Sequence, residues 1–437
     1  MDGMASPADG NEWRGRRQRL ALGAAVSFAL LCGLYVVRAG LFAGGDYRAV
    51  DAYWHYAAGK CWLHGESPYH VDSFYARWRE AFDRGPVSPY VFPPTMAIVA
   101  VPMALLPWVG GQWLFDAANL LALLLVLYFS KRLIDRSGLV SPRSPGKWIW
   151  PGAACLISGV PACIFVGQVG LIAAAGLVGA LYSWQRGRAW WCAAFVVVAS
   201  AKPQVSLLLL VYMFVVGRRR GVVLGGLAVA ALAALVLAWA PGESLSSDVR
   251  QSIEGYRLIP FNRWERYDTL SRVLGRTPLE SVAVYGAMGA AAVLVCLIGF
   301  RDGLRIRTGR VSDDDRAGFS ADNPPVLLPS IVLVLAATGL FMPLHVYDFG
   351  LYVPVMVSLA AFGWRRRLWL LVGLILIARP HNIETVLAHV PFCRVWLEYA
   401  PVSLIGGLVT FAGATVLYVQ RRSHAENVCP LCALVSP

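Results

Sequence analysis

Charge is scarce in this 437-residue chain: Asp, Glu, Lys and Arg make up 15% of it, against 57% hydrophobic residues. So little charge, with apolar runs of about 15 to 20 residues recurring from end to end, excludes a water-soluble globule and indicates an all-α polytopic membrane protein. The sequence also lacks GxGxxG, P-loop, HExxH and GxSxG patterns. Their absence argues against nucleotide-driven transport and zinc hydrolysis, and neither a metal nor another cofactor is expected. No soluble domain, low-complexity tract or fixed-period repeat interrupts the apolar pattern.

The charge that is present is mostly basic, with a net +13. Lys and Arg fall in short clusters between apolar runs, the pattern that orients helices at a cytoplasmic face, so nucleic acid is not an expected partner. Arg14, Arg16, Arg17 and Arg19 precede the first apolar run, which no clean small-residue cleavage site follows, so it reads as an uncleaved first helix. Nine cysteines are scattered, five of them inside apolar runs where a thiol serves as a small hydrophobe. Cys61 and Cys393 fall on the expected outer side, and the CPLC pair (Cys429, Cys432) lacks the second half that a zinc site needs.

Apolar segments near 20–37, 94–110, 113–130, 148–165, 167–184, 189–201, 203–217, 221–240, 280–299, 325–343, 348–363, 367–378 and 400–419 are candidate spans, and charge tests the count. If 94–110 crossed, the segment 131–147, with five basic residues against one acidic, would lie outside and later loops would invert too. If instead PPTMAIVAVPMALLP (93–107) is a short helix at the outer interface, every basic cluster falls inside. Prolines 93, 94, 102 and 107 support this reading, because they leave too little regular helix for ~30 Å of hydrocarbon. The expectation is about twelve transmembrane helices in one domain over 20–419, with cytoplasmic tails at 1–19 and 420–437 and outer loops at 39–112 and 241–279.

Polar chemistry gathers on that outer side, where ionisable groups persist for a function or a partner. Asp46 and Asp51 both follow the outer end of the first span; five residues apart, they would point about 140° apart on a helix, and either also reads as a plain loop carboxylate. Lys202 in SAKPQ interrupts an apolar stretch beside Pro203. An ammonium next to freed backbone N–H groups suits a phosphate, while a lysine snorkelling from a helix end fits equally well. GQVG (167–170) reads as part of such a site or as a tight turn in which Gln168 satisfies backbone groups. His345 and Asp348, with Tyr347 between them, share one side of a helix and suit proton transfer or a phosphate oxygen; they also suit helix capping. Over 256–272, Tyr256, Phe261, Trp264 and Tyr267 interleave with Arg257, Arg263, Arg266 and Arg272, a mixture suited to a phosphate- or sugar-bearing headgroup or to an interfacial belt.

In chain order, Asp51, Tyr53, Trp54, Ala57, Ala58, Leu63, Gly65, Pro68 and Tyr69 are followed by YVFPPTMAIVAVPMALLPW (90–108), Trp113, Asn119, GQVG, the SAKPQ lysine, an RRR cluster and HVYDFGLYVPVM (345–356). This series, spanning residues 40–360, resembles glycosyltransferase family 87, membrane-embedded transferases that use polyprenyl-phosphate-sugar donors and include mycobacterial mannosyltransferases. The resemblance implies the type C glycosyltransferase fold, with juxtamembrane helices in the first outer loop and an aspartate there as general base. Spacing favours Asp51, which stands 14 residues before Gly65 and 18 before Tyr69. His55 replaces the family's usual tyrosine, and Asp46-Tyr47 imitates its aspartate-aromatic start, so Asp46 stays a candidate.

The implied reaction moves a hexosyl residue, mannosyl by the resemblance, from a polyprenyl phosphate sugar to a lipid or glycan acceptor. It takes place at the outer, periplasmic or extracytoplasmic face of the inner (plasma) membrane, whose lipids are the remaining partners. The donor carries its own leaving group, so the enzyme has to deprotonate an acceptor hydroxyl, align it and stabilise the departing charge; a single displacement inverts the anomeric carbon. Asp51 is the expected base, with Asp46 the alternative. Lys202, His345, Arg263 and Arg266 are expected on the donor phosphate, and Tyr53, Trp54, Tyr69, Gln168, Trp264, Tyr347 and Asp348 on substrate, with no metal. A transporter or flippase of a lipid or glycolipid is the competing class, but it would show midplane charges and related halves, and the sequence displays neither.

Overall fold

Apolar stretches punctuated by Pro and Gly produce helix after helix, and a computed structural model shows no β strand among the described residues. It describes residues 7–44, 48–82, 88–137, 139–140, 144–217, 220–238, 245–259, 263–307, 327–362, 364–390, 397 and 400–426. The order is α1 (Pro7–Leu41), α2 (Val50–Leu63), α3 (Val71–Ala81), α4 (Ala97–Ala104), α5 (Trp108–Arg136), α6 (Gly146–Ala154), α7 (Gly159–Val166), α8 (Gly170–Gln185), α9 (Ala189–Ala199) and α10 (Pro203–Val216). Then come α11 (Arg220–Ala238), α12 (Leu245–Leu258), α13 (Ser271–Leu274), α14 (Glu280–Arg307), α15 (Leu328–Phe341), α16 (Val353–Ser358), α17 (Trp364–Ala378), α18 (Pro380–Leu387) and α19 (Val402–Glu426).

The apolar helices fit a multi-pass membrane protein, but the expected twelve spans are not reproduced. Among the described residues, four stretches are long and apolar enough to cross alone: Arg16–Leu41, Trp108–Arg136, Glu280–Arg307 and Val402–Gln420. Two more crossings arise if α6 with α7, bent by 44°, and α17 with α18, bent by 81°, each count as one. Several other apolar segments are cut short by their own punctuation. Helices α8, α9, α10 and α15 have 16, 11, 14 and 14 residues, and at 1.5 Å per residue the longest reaches only about 24 Å. Pro203 opens α10, and Gly217, in the left-handed region, closes it. The segment expected to span 348–363 is instead a 3₁₀ turn (Val346–Tyr352), α16 and a second 3₁₀ turn (Leu359–Ala361).

The segment expected as the first outer loop holds the short helices α2, α3 and α4. Segment 93–107 forms a 3₁₀ turn (Pro94–Met96) and α4, which stops before Pro107, so the short helix anticipated from charge is present. Helix α2 lies between α4 and an aromatic cluster in which Tyr53 stacks on Trp108 at 4.3 Å and meets Phe82 edge-on at 4.3 Å. Behind it, α8 is buried along nearly its whole length and packs against α5, α9, α10 and the 346–352 turn. Two breaks, the turn before α8 and the gap before α10, therefore open towards α2.

Candidate active site

The site is assembled from helix ends. Ala49 adopts φ 56° immediately before α2, and its N–H donates to the Phe165 carbonyl at 2.7 Å. A left-handed non-glycine residue costs roughly 1 kcal/mol, and here it pins the start of α2 to the end of α7. Next to it, Arg48 pairs with buried Asp116 of α5 at 2.7 Å, so Asp51 is held in the first turn of α2. Gly167 ends α7 at φ 77°; a Cβ there would lie 2.6 Å from the Ala52 Cβ. Only glycine lets the 167–170 turn press this closely on α2.

From that turn, the Gln168 Nε2 donates to Asp51 Oδ2 at 2.6 Å. Lys202 occupies the break between α9 and α10, where Pro203 takes the first helical position, and its Nζ donates to Gln168 Oε1 at 2.8 Å. The same ammonium forms a buried ion pair with Asp348 and lies 4.8 Å from the Tyr347 ring centroid. It is buried and paired, not snorkelling. A Cβ on Gly170 would lie 3.3 Å from both Asp348 Oδ1 and the Tyr347 carbonyl, so both ends of GQVG are close-packed. His345 and Asp348 form a capping box, Asp348 accepting from the His345 N–H at 3.3 Å. Asp268 latches the preceding loop onto this turn, accepting from the Val346 N–H at 2.9 Å while its own N–H donates to the Leu344 carbonyl at 2.9 Å.

Two cavities adjoin this chain of groups. One, of about 370 Å³, is lined by Asp51, Trp54, Gln168, His345 and Tyr347. The other, of about 610 Å³, is lined by Lys202, Gln204, Arg263, Trp264, Glu265 and Glu280. Val91, Phe92 and Tyr256 line both. A carboxylate thus faces one chamber and a cationic edge faces its neighbour.

The glycosyltransferase family 87 family model matches residues 90–312, which carry Phe92, Gln168, Lys202, Tyr256 and Arg263. The chain belongs to glycosyltransferase family 87. No curated protein and no solved structure matches it. A family 87 glycosyltransferase uses a sugar donor and an acceptor. Asp51, His345 and Asp348 lie outside the matched segment, and Asp51 and Asp348 are tied to it through Gln168 and Lys202.

The electrostatics of the candidate site in this family 87 chain follow from burial. Asp51 is pushed up to about 6, chiefly by desolvation, against the opposing pull of the Gln168 hydrogen bond and the Lys202 charge. His345 is pushed down to about 3 by burial and by Lys202, so its imidazole is neutral. Among the described residues no group of three or more His, Cys, Asp or Glu is placed to share a metal ion.

Of the residues anticipated from sequence, Asp51, Gln168, Lys202, His345, Tyr347 and Asp348 come together, and Trp54, Arg263 and Trp264 line the cavities. Tyr53, Tyr69 and Arg266 are not among the described cavity-lining residues. Tyr53 sits in the aromatic stack, Arg266 is exposed, and Tyr69 is buried with its hydroxyl donating to the Phe92 carbonyl at 2.5 Å. Asp46, Tyr47, Phe261, Cys393, Cys429 and Cys432 lie outside the described residues. Sequence reading missed Asp268, the Arg48–Asp116 pair and Ser88, whose carbonyl accepts from the Trp54 indole N–H at 3.0 Å. Only Asp116 carried a signal, as an acid inside an apolar helix.

Proposed function

We propose that this family 87 enzyme transfers a hexosyl residue, mannosyl by the family resemblance, from a polyprenyl phosphate sugar to a lipid or glycan acceptor at the outer leaflet, inverting the anomeric centre. One observation carries the reading: a half-buried carboxylate, Asp51, faces one cavity while Lys202 and Arg263 border the next. The acceptor hydroxyl binds at Asp51, which takes its proton as the acceptor oxygen bonds to the anomeric carbon. The bond from that carbon to the phosphate oxygen breaks, and polyprenyl phosphate leaves with the electron pair. The Lys202 ammonium and the Arg263 guanidinium offset the developing charge, and neutral His345 supplies a hydrogen bond. The raised pKa of Asp51 fits a base that must be protonatable in the transition state yet ionised at neutral pH. Trp54, Trp264 and Tyr347 offer aromatic faces to a sugar.

The test uses the purified protein in lipid nanodiscs with radiolabelled polyprenyl phosphate mannose and an envelope lipid extract as acceptor. Loss of labelled product in Asp51→Asn and in Lys202→Met supports the assignment. Flux of the donor across sealed vesicles with no glycosylated product would instead establish a transporter or flippase.

A further inference from the structure

We propose that Gln168 is a positioning residue, its amide standing between Asp51 and Lys202 so that the carboxylate is aimed at its cavity while the ammonium is kept from closing onto it. The inference rests on the reading of Asp51 as base, and it reassigns Gln168 from substrate contact to the protein's own machinery.

The orientation of the amide is fixed by its neighbours. An ammonium only donates, so the atom facing Lys202 Nζ at 2.8 Å must be the amide oxygen, which turns Nε2 towards Asp51 Oδ2 at 2.6 Å. The backbone of Gln168 is held as well, its N–H donating to the Cys163 carbonyl at 2.8 Å and its carbonyl accepting from the Cys163 thiol at 3.2 Å. Both bracketing glycines, Gly167 and Gly170, are close-packed against α2 and the 345–348 turn. Gln168 itself is 3% exposed. A side chain so buried and so occupied at both ends is poorly placed to recognise a substrate.

The chemistry of the spacer follows. A direct Asp51–Lys202 ion pair would weaken the base and occupy the cation. With the amide between them, the ammonium spends two of its three N–H groups on Gln168 and Asp348, leaving one for an anion in the cavity that Lys202 lines. The amide nitrogen has no lone pair to accept a proton, so a proton taken up by Asp51 stays on the carboxyl and is not passed to Lys202. The groups facing Asp51 are Lys202 from the α9–α10 break, His345, Tyr347 and Asp348 at the 3₁₀ turn, and Tyr256 from α12.

The experiment is an infrared titration of the purified enzyme, in which the carboxylic C=O band of Asp51 is assigned by its loss in Asp51→Asn. In the wild type that band is expected to half-titrate near pH 6. Gln168→Met removes the hydrogen bond but keeps an apolar side chain of similar length between the carboxylate and the ammonium, so the midpoint is expected to rise by about one pH unit, with kcat down about 10- to 100-fold and KM for the donor nearly unchanged; a midpoint that falls would mean that the ammonium closes on Asp51 past any side chain and would overturn the positioning role of the amide. Should that variant misfold, Gln168→Glu gives the same upward direction, because it adds a negative charge beside Asp51. An unmoved midpoint, above all with a raised KM, overturns the proposal in favour of a substrate contact. Transfer surviving in Asp51→Asn would instead overturn the base assignment, and the titration tells the two failures apart.

Discussion

Replacing Gly167 with alanine tests how closely activity depends on the turn that carries Gln168. The added Cβ would lie 2.6 Å from the Ala52 Cβ and 2.8 Å from the Ala52 nitrogen, whereas carbon atoms settle at about 3.5 Å or more. The turn and α2 must therefore part by about 1 Å. Adding that to the present 2.6 Å between Gln168 and Asp51 takes the hydrogen bond beyond its geometric limit. A hydrogen bond to a charged group contributes about 1.5 to 3 kcal/mol, so kcat should fall about 10- to 100-fold. That range agrees with the roughly hundredfold cost of a 1 Å misplacement in an active site. Stability pays separately, by about 1 kcal/mol for alanine at φ 77°. Initial rates in nanodiscs at a temperature where size-exclusion profiles match, with Tm measured in parallel, separate the two effects. Gly170→Ala, whose Cβ meets its nearest neighbour at 3.3 Å, should lose only a few-fold. A Gly167→Ala enzyme with wild-type kcat would refute the argument that this close approach sets the geometry of the base.

Other outcomes follow from the same geometry. Because Asp51 must be ionised to accept a proton, transfer should drop about tenfold per pH unit below about 6 and level off above it, read from kcat/KM across pH. The folded pKa lies above the ordinary aspartate value of 3.8, so the stability this group contributes is fully present below that value and is lost as pH rises through about 6; Asp51→Asn should accordingly raise Tm at pH 7. Lys202→Met strands Asp348 in a buried site at a cost of about 3 to 5 kcal/mol, whereas Lys202→Met with Asp348→Leu should recover much of the Tm and none of the activity. Tyr69→Phe loses the hydrogen bond to Phe92 and about 1 kcal/mol in thermal unfolding, while its kcat should stay within about twofold of wild type because Tyr69 supports the cavity wall from behind.

The candidate site was legible as islands. Asp51, GQVG, SAKPQ and HVYDFG each stood out because polar groups and helix breakers interrupt apolar sequence. Composition could not show that Gln168 reaches Asp51 across 117 residues, or that the Lys202 ammonium closes on Asp348. GQVG is a turn and His345 with Asp348 is a cap, and both readings leave the site reading open. The turn is what brings Gln168 to Asp51, and the capping box is what holds Asp348 under Lys202. The aromatics were harder to sort, because Tyr53 and Trp54 are adjacent in sequence yet face an aromatic stack and a cavity respectively. Hydropathy also counts apolar residues without seeing where a helix stops. Pro203, Gly217 and the 3₁₀ turn at Val346–Tyr352 therefore shortened several expected spans below bilayer length, while the proline-rich 93–107 segment forms the short helix that the charge around it suggested.

The central claim is that Asp51 takes the acceptor's proton, and the most direct measurement is transfer from radiolabelled polyprenyl phosphate mannose by Asp51→Asn in nanodiscs. The account predicts no product above background from a protein that elutes as the wild type does. Product formed at the wild-type rate would contradict it.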